Sequence, residues 1–557
     1  MDMTKSNLYR EFSKLSLNSI KSVQNGQSLN DLDLYLHVER PVESVLRQKM
    51  RDIDQCGGGI VLLIGSAGDG KSHLLSRLRS EFDWDASSYY NDATASCSPN
   101  KTAVQTLKEA LVDFCDASID TTNRKLVLAV NLGKLNAFIE DADVKNSYSK
   151  IVEATAGIFD DDDATEEKET SRIKIVLIAR EQMFEISPEC QDQFTMQAPF
   201  LSKILEKIVY GDDANPFHRA YLADREDSEC EQDPVYLNYK ILQSPQVRDT
   251  LVRGIIESIV RFKLIITPRE FLDFIYCIMV PRGLEEYDAQ RDYYKTLLPS
   301  LLFCGGTNLI QRAFAKLDPI IYSSTDHDKK LAELFTSYAI PEDIESAMRD
   351  ARIPECIIDR INKFYQNNGR QLDITTKFVF RLFHILSYHS ESGVYTNFMR
   401  LLTKIFNRDP DAYAEIYEAV GRALPRHFGS FYEKNNMIPL GVQGGEYKLF
   451  ANLELDPQPI DSSFNPDHPS RFPLWFTMKW RVGGEVICLK VDYQLYSYLD
   501  DLNQGRLVTA YENERNLAFS TFVRQLASKA NMSEVTIVKS CGTEKKLQES
   551  FGKVRLA

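Results

Sequence analysis

Residues 65–73 read Gly65-Ser66-Ala67-Gly68-Asp69-Gly70-Lys71-Ser72-His73, directly after the apolar run Ile60-Val61-Leu62-Leu63-Ile64. The spacing G-x-x-x-x-G-K-S after a β-type run is that of a phosphate-binding loop, or P-loop. Its chemistry explains its residue types. Glycines at Gly65, Gly68 and Gly70 let successive backbone N–H groups turn inward around phosphate oxygens, along a path that side chains would block. Lys71 is placed to neutralise the β- and γ-phosphates of ATP, and Ser72 to offer its hydroxyl to Mg²⁺. A helix expected from about Lys71, through Leu74, Leu75 and Leu78, points its positive end at the same phosphates. Ser66, Ala67, Asp69 and His73 complete the set of expected nucleotide contacts.

Hydrolysis also asks for an acid at the end of a neighbouring strand, to order the magnesium shell and polarise water. The run Leu126 to Val130 stands one β-α unit beyond the loop, where that strand is expected, but it ends in Asn131. Asn bonds a metal-bound water and cannot serve as a base. Asp92, after the short run Ser88 to Asn91, is the nearest alternative acid, because neighbouring strand ends converge on the nucleotide. Arg180 follows the run Ile173 to Ala179, at the position of a γ-phosphate sensor in the additional-strand class of P-loop ATPases. Thr267-Pro268-Arg269-Glu270 reads as a helix start, with Thr at the cap, Pro in the first turn and Glu three residues after the cap. Arg269 then projects from a lid-like helix, where a second sensor or an arginine acting in trans reaches a phosphate. The catalytic candidates are therefore Lys71, Asp92, Asn131, Arg180 and Arg269. Whether the chain hydrolyses ATP by itself is left open by Asn131.

The elements that position these residues follow from periodicity. From 35 to 216 short apolar runs alternate with helical ones, as in an α/β domain with a parallel sheet. The runs Ile60 to Ile64, Ser88 to Asn91, Leu126 to Val130 and Ile173 to Ala179 are the expected strands, with Ile204 to Tyr210 a weaker fifth. Val104 to Phe114 and Tyr148 to Ile158 are helices between them, the second leading to an acidic loop, Asp160 to Asp163 with Glu166, Glu167 and Glu169, read as a solvated charge run. Residues 1–34 form an N-terminal helical segment. Residues 217–440 are helical, with clear segments at Arg253 to Phe262, Phe271 to Met279, Phe378 to Leu386 and Asn397 to Phe406. Residues 441–557 turn β-rich. Trp475 to Arg481 and Glu485 to Val491 flank Gly483-Gly484 as a hairpin, followed by a helix over Leu517 to Ala527 and a last strand over Val535 to Lys539, a small α+β module. The expected fold is thus an additional-strand, AAA-like P-loop core, a helical middle domain and this module.

Composition narrows the function classes. A chain of 557 residues exceeds one core, and its net charge of -14 argues against wrapping nucleic acid with the whole surface. Ten cysteines are scattered without C-x-x-C or a Cys/His cluster, so neither zinc nor a disulfide framework is indicated. A nuclease acting directly needs clustered carboxylates or such a metal site, and the C-terminal module shows neither. No apolar run approaches a membrane span and the N-terminus lacks a leader-like block, so a cytoplasmic location is expected.

Taken in order, Tyr35-x-His37 with Arg40, the loop from Gly65 to His73, Tyr90-Asn91-Asp92-Ala93-Thr94, Asn131-Leu132-Gly133 and Thr267-Pro268-Arg269-Glu270 make the chain resemble the DptF family. That family is the P-loop ATPase component of bacterial DNA phosphorothioation-dependent restriction systems. The resemblance implies ATP and Mg²⁺ as cofactors, partner subunits that include a helicase-like ATPase, and a role in defence against DNA lacking the sulfur modification. It transfers ATP binding to Gly65, Gly70, Lys71 and Ser72. The competing expectation is a nucleotide-dependent switch or scaffold that recruits DNA-processing partners without hydrolysis.

One region locally reverses the charge. From Arg524 onward seven basic residues face three acidic ones, a balance of +4. Any duplex binding by the isolated protein is therefore expected to be weak and to depend on Lys539, Lys545, Lys546 and Lys553. Their joint replacement by Gln should lower affinity and flatten the log-log salt dependence by about 0.9 per lost phosphate contact, leaving ATP binding unchanged. Tight binding with an unchanged slope would place the contact elsewhere.

Overall fold

The computed structural model describes residues 6–17, 30–91, 102–158, 168–178, 181–186, 196–288, 290–321, 325–368, 373–387, 393–427, 437–439, 447–452, 455–461, 464–465, 468–506, 516–529, 531–539, 544–550 and 553–556. They fall into two units, residues 1–185 with 197–389, and residues 186–196 with 390–557. The chain is mixed α/β and mostly helical. None of the described helices is long and apolar enough to cross a membrane.

The first unit is built on a four-stranded parallel sheet, β1 (Gly59–Gly65), β2 (Tyr89–Asn91), β3 (Lys125–Asn131) and β4 (Ile173–Leu177), in the order β2-β3-β1-β4. All seven residues of β1 are buried. Their continuous apolar run reflects cover on both faces, the usual state of a parallel strand. Strand alternation divides the core in two. Ile60, Leu62 and Ile64 share one face with Leu126, Leu128 and Val130, packed with Phe138, Tyr148 and Ile151 from the helices on that side. Val61 and Leu63 share the other with Val127, Ala129 and Val176. There they meet α1 (Pro41–Gln55) and α2 (Lys71–Leu78), through Leu46, Met50, Leu74 and Leu78.

The expected strand over Ile204 to Tyr210 is instead the end of a helix, α3 (Pro199–Val209). Leu201, Ile204, Leu205 and Ile208 are its buried residues, spaced at the helical period, and Pro199 starts it. A short apolar run does not by itself distinguish the two states; the spacing upstream decides it. The acidic run Asp160 to Asp163, with Glu166 and Glu167, lies outside the described residues. Glu169 at its end has a structural role, accepting the Ile175 N–H at 2.8 Å and pairing with Lys49. Downstream, α4 (Pro268–Met279) begins with the capping box expected at Thr267 and Glu270. Its apolar face, including Phe271, Phe274 and Ile278, is buried.

In the second unit the hairpin Trp475–Val482 with Glu485–Asp492 forms as expected. Gly483 and Gly484 carry φ of 58° and 88°, the two successive positive values that a tight two-residue turn requires. The helices Gly393–Phe406 and Pro410–His427 belong to this unit, so the helical run of 217–440 is shared between the two units. Asn531–Lys539 is not the last strand. Glu544–Ser550 and Lys553–Leu556 follow it in a five-stranded antiparallel sheet, with Lys545 and Lys546 exposed. Lys539, Lys545, Lys546 and Lys553 thus lie on three successive strands of this sheet, only the last of them at its edge.

Because Leu62 is fully buried at the centre of the parallel sheet, Leu62→Ala should cost about 2–5 kcal/mol. Leu222→Ala, at a 40% exposed position of the same unit, should change stability far less. Urea unfolding of the two variants checks the contrast, and equal losses would contradict the core described above.

Candidate phosphate-binding site

The nine residues from Gly65 to His73 run off the end of β1 and into α2. Gly68 and Gly70 have φ of 90° and 88°, the left-handed backbone for which the sequence reserves glycine. Gly70 is the N-cap of α2, so the helix begins at Lys71. Gly65 is required for a different reason. A Cβ there would lie 2.6 Å from Asp69 Oδ2. That carboxylate is buried and accepts the Ser66 N–H, bracing the loop from within. Burial raises the Asp69 pKa, and the Ser66 hydrogen bond opposes the rise.

Lys71 Nζ donates to Ser66 O at 2.6 Å and Gly65 O at 3.1 Å, so the ammonium lies over the start of the loop. The exposed Ser72 hydroxyl receives Asn91 Nδ2 at 2.7 Å. This contact brings the end of β2 to the first turn of α2. Asn131 ends β3 beside Gly65, its cross-strand partner, and its Oδ1 accepts the Gly133 N–H at 2.8 Å as the cap of the next helix. Arg269 is brought to the same loop. A Cβ on Gly68 would stand 2.9 Å from Thr267 Oγ1 and 3.5 Å from Arg269 Cβ, so the start of α4 rests on the loop's apex. The Arg269 guanidinium also donates to Leu17 O at 3.2 Å. Asp92 and Arg180 lie outside the described residues.

Several contributors escape a reading of spacing alone. Arg40 Nη2 donates to Asp69 O at 2.7 Å, and the guanidinium lies over the Phe200 ring of α3. Burial lowers its pKa, opposed by Glu181, Asp69 and Glu43. His37 Nδ1 and His73 Nε2 are 2.9 Å apart, with their rings stacked at 18°. One proton must lie between those two nitrogens. His37 Nε2 is 3.4 Å from Glu43 Oε2 on α1, while Lys207 of α3 donates to the carbonyls of Tyr35 and His37. The segment 35–40 is thereby tied to the loop helix α2 through His73 and to α3 through Lys207. Tyr35, His37 and Arg40 stand together in the sequence, but their partners are 29 to 172 positions away. No spacing rule reaches that far.

Searches of protein-family models, curated proteins and solved structures return no match to this chain. The geometry itself nonetheless defines a coherent arrangement. Positive-φ glycines, a helix N-terminus, an ammonium and a hydroxyl meet at one strand end, and that donor set suits a phosphate chain with its divalent cation. Among the described residues no group of three or more His, Cys, Asp or Glu is arranged to hold a metal, so a cation here would depend on Ser72 and on the phosphates themselves.

The histidine pair gives a pH-dependent stability. Burial, and then His37, hold His73 down at about 4, and burial also lowers His37. Both rings are neutral in the native state. The contribution is complete above the ordinary value of 6.5 and is lost as pH falls from there towards 4. For His73 this amounts to about 3 kcal/mol. Urea midpoints measured between pH 7 and 4 should fall less steeply in His73→Gln than in wild type, and parallel curves would show that the pair carries none of the dependence.

Proposed function

We propose that the chain binds ATP with Mg²⁺ at the Gly65–His73 loop and hydrolyses it, as the ATPase subunit of a DNA phosphorothioation-dependent restriction complex. The sheet order carries the mechanistic part. The additional-strand class takes its name from a strand inserted between the phosphate-loop strand and the strand bearing the acid. In the order β2-β3-β1-β4, β3 lies between β1 and β2. On this reading Asn131, at the end of the inserted strand and beside Gly65, is the polar residue that meets the γ-phosphate. The acid is then Asp92, one residue beyond β2, the strand whose Asn91 already reaches Ser72. On this reading Asp92, the alternative acid, takes the catalytic role and Asn131 does not.

Each residue then has a task its position suits. Lys71 neutralises the outer phosphates, Ser72 and the Asn91 amide orient the cation's ligands, and Asp92 accepts a proton from the attacking water. Mg²⁺, when bound, would be held through Ser72 and would supply positive charge against the phosphates. Arg269, seated with Thr267 on Gly68, is the contact through which α4 responds to the loop. Arg180, after β4, remains a candidate for the phosphate from the opposite side of β1. Support for the restriction role comes from the motif order shared with the DptF family, and the -14 charge favours action through partner subunits and a helicase-like ATPase over broad contact with DNA.

The test is a set of three variants, assayed for fluorescent-ATP binding and phosphate release, with and without DNA. Lys71→Ala should lose nucleotide binding while the fold is kept, with at most a small fall in melting temperature from the lost bonds to Gly65 O and Ser66 O. Asp92→Ala should keep binding and lose roughly 100-fold or more in turnover. Asn131→Asp should slow turnover by setting a negative charge beside the γ-phosphate. Faster turnover in Asn131→Asp would restore Asn131 to the acid's position, and nucleotide binding without turnover in wild type under every condition would favour the switch or scaffold.

A further inference from the structure

Helix α4 meets the phosphate loop with its first turn only. Its second half, and the residues after it, wall a cavity of about 800 Å³ lined by Asp273, Cys277, Arg282, Cys304 and Thr307 among others. That volume lies within the range of small-molecule sites, about 300–1,000 Å³. Two of the acids on its wall are already engaged. Asp273 accepts the Leu17 N–H at 2.9 Å and Asn308 Nδ2 at 2.8 Å. Asp292 pairs with Arg291 at 2.6 Å and Lys295 at 3.2 Å. Glu286, the third, is exposed to solvent.

Arg282 is arranged differently. Its guanidinium donates to Thr307 Oγ1 at 2.8 Å, and no carboxylate among the described residues forms an ion pair with it. The two thiols add no negative charge at neutral pH, since burial pushes Cys277 up to about 12 and the partial desolvation of Cys304, although its surface stays exposed, raises it as well. Arg282 is exposed, as Glu286 is, but its planar fork matches an oxyanion and the wall's Asp273 and Asp292 are engaged elsewhere, so the cavity suits a negatively charged ligand.

We propose that this cavity binds a small molecule bearing a carboxylate or a phosphate, with Arg282 as its charge partner. The site is separate from the phosphate loop. Its failure would therefore leave the ATP reading untouched, and the reverse also holds.

Cys304 is an exposed thiol on the cavity wall and reports on it directly. Thiolate attack on iodoacetate or iodoacetamide expels iodide and leaves a thioether in either case, but only the first reagent is an anion. Alkylation rates at Cys304 in the full chain, read by peptide mass spectrometry, should favour iodoacetate in wild type. In Arg282→Gln the iodoacetate-to-iodoacetamide ratio should fall by roughly fivefold, and Arg282→Lys should restore part of it. The rate at Cys488, an exposed thiol of the other unit, should be unchanged and so controls for folding. In wild type, inorganic phosphate or acetate should protect Cys304 and leave Cys488 alone. Protection by phosphate assigns a phosphate ligand and protection by acetate a carboxylate, and either supports the site. An unchanged ratio in Arg282→Gln overturns it. So does a ratio that falls without protection by either anion, because Arg282 would then act on the thiol only through its field.

Discussion

The approach of Gly68 to Thr267 is the contact on which the rest of the arrangement turns. A single methyl group at Gly68 would meet the Thr267 hydroxyl at 2.9 Å and would sit on a backbone whose φ of 90° excludes most side chains. Glycine is therefore needed twice over, for the turn of the loop and for the seat of α4 upon it. The capping box at Thr267 serves the same end. Its hydroxyl accepts the Glu270 N–H at 3.2 Å, and the Glu270 carboxylate accepts the Thr267 N–H at 3.1 Å. The helix start is fixed before it touches the loop.

From that contact the structure reads outward in two directions. Towards the sheet, the loop is braced by the Asp69 carboxylate within it and held from outside by Arg40, whose planar fork reaches the Asp69 carbonyl while its body packs on Phe200. Both devices hold backbone, Asp69 buried and Arg40 half-buried, and both have partners, which is the condition under which such groups are tolerated away from water. Towards the helices, Leu17 joins two positions of α4, accepting from Arg269 and donating to Asp273 one turn later. The N-terminal helix Asn7–Ser13 that leads to Leu17 is itself anchored by Asp224, which accepts the N–H groups of Asn7 and Leu8. A segment near the start of the chain is in this way part of the frame around the loop from Gly65 to His73.

Much of this was legible from residue types and spacing, because it depends on short-range rules. The run Ile60 to Ile64 is apolar throughout since β1 is covered on both faces. Gly68 and Gly70 have the backbone that their residue type advertises. The Thr267 to Glu270 signature forms its cap, and Gly483-Gly484 forms its turn, because both need only residues within four positions. The run Ile204 to Tyr210 is ambiguous for the same reason in reverse, since a stretch that short carries too few periods to separate strand from helix. The strands after Lys539 carry weak patterns, with Lys545, Lys546 and Gln548 interrupting the apolar alternation, and only pairing with Asn531–Lys539 makes them strands.

By itself the sequence determined the loop, the glycines that shape it, the places of Lys71 and Ser72 and the alternation of strand and helix around them, all matters of neighbouring residues and of which side chains water excludes. Tertiary structure alone decided the order of the strands, and with it which strand end faces Ser72 and which lies beside Gly65. It also decided that Arg40, His37 and Glu43 converge on the loop and that Arg269 rests on Gly68. Strand order is a property of which edges pair, and every parallel strand of this sheet presents the same backbone donors and acceptors to its neighbours. Side-chain packing across the two faces chooses among the possible orders, and that choice is made by residues far apart in the chain.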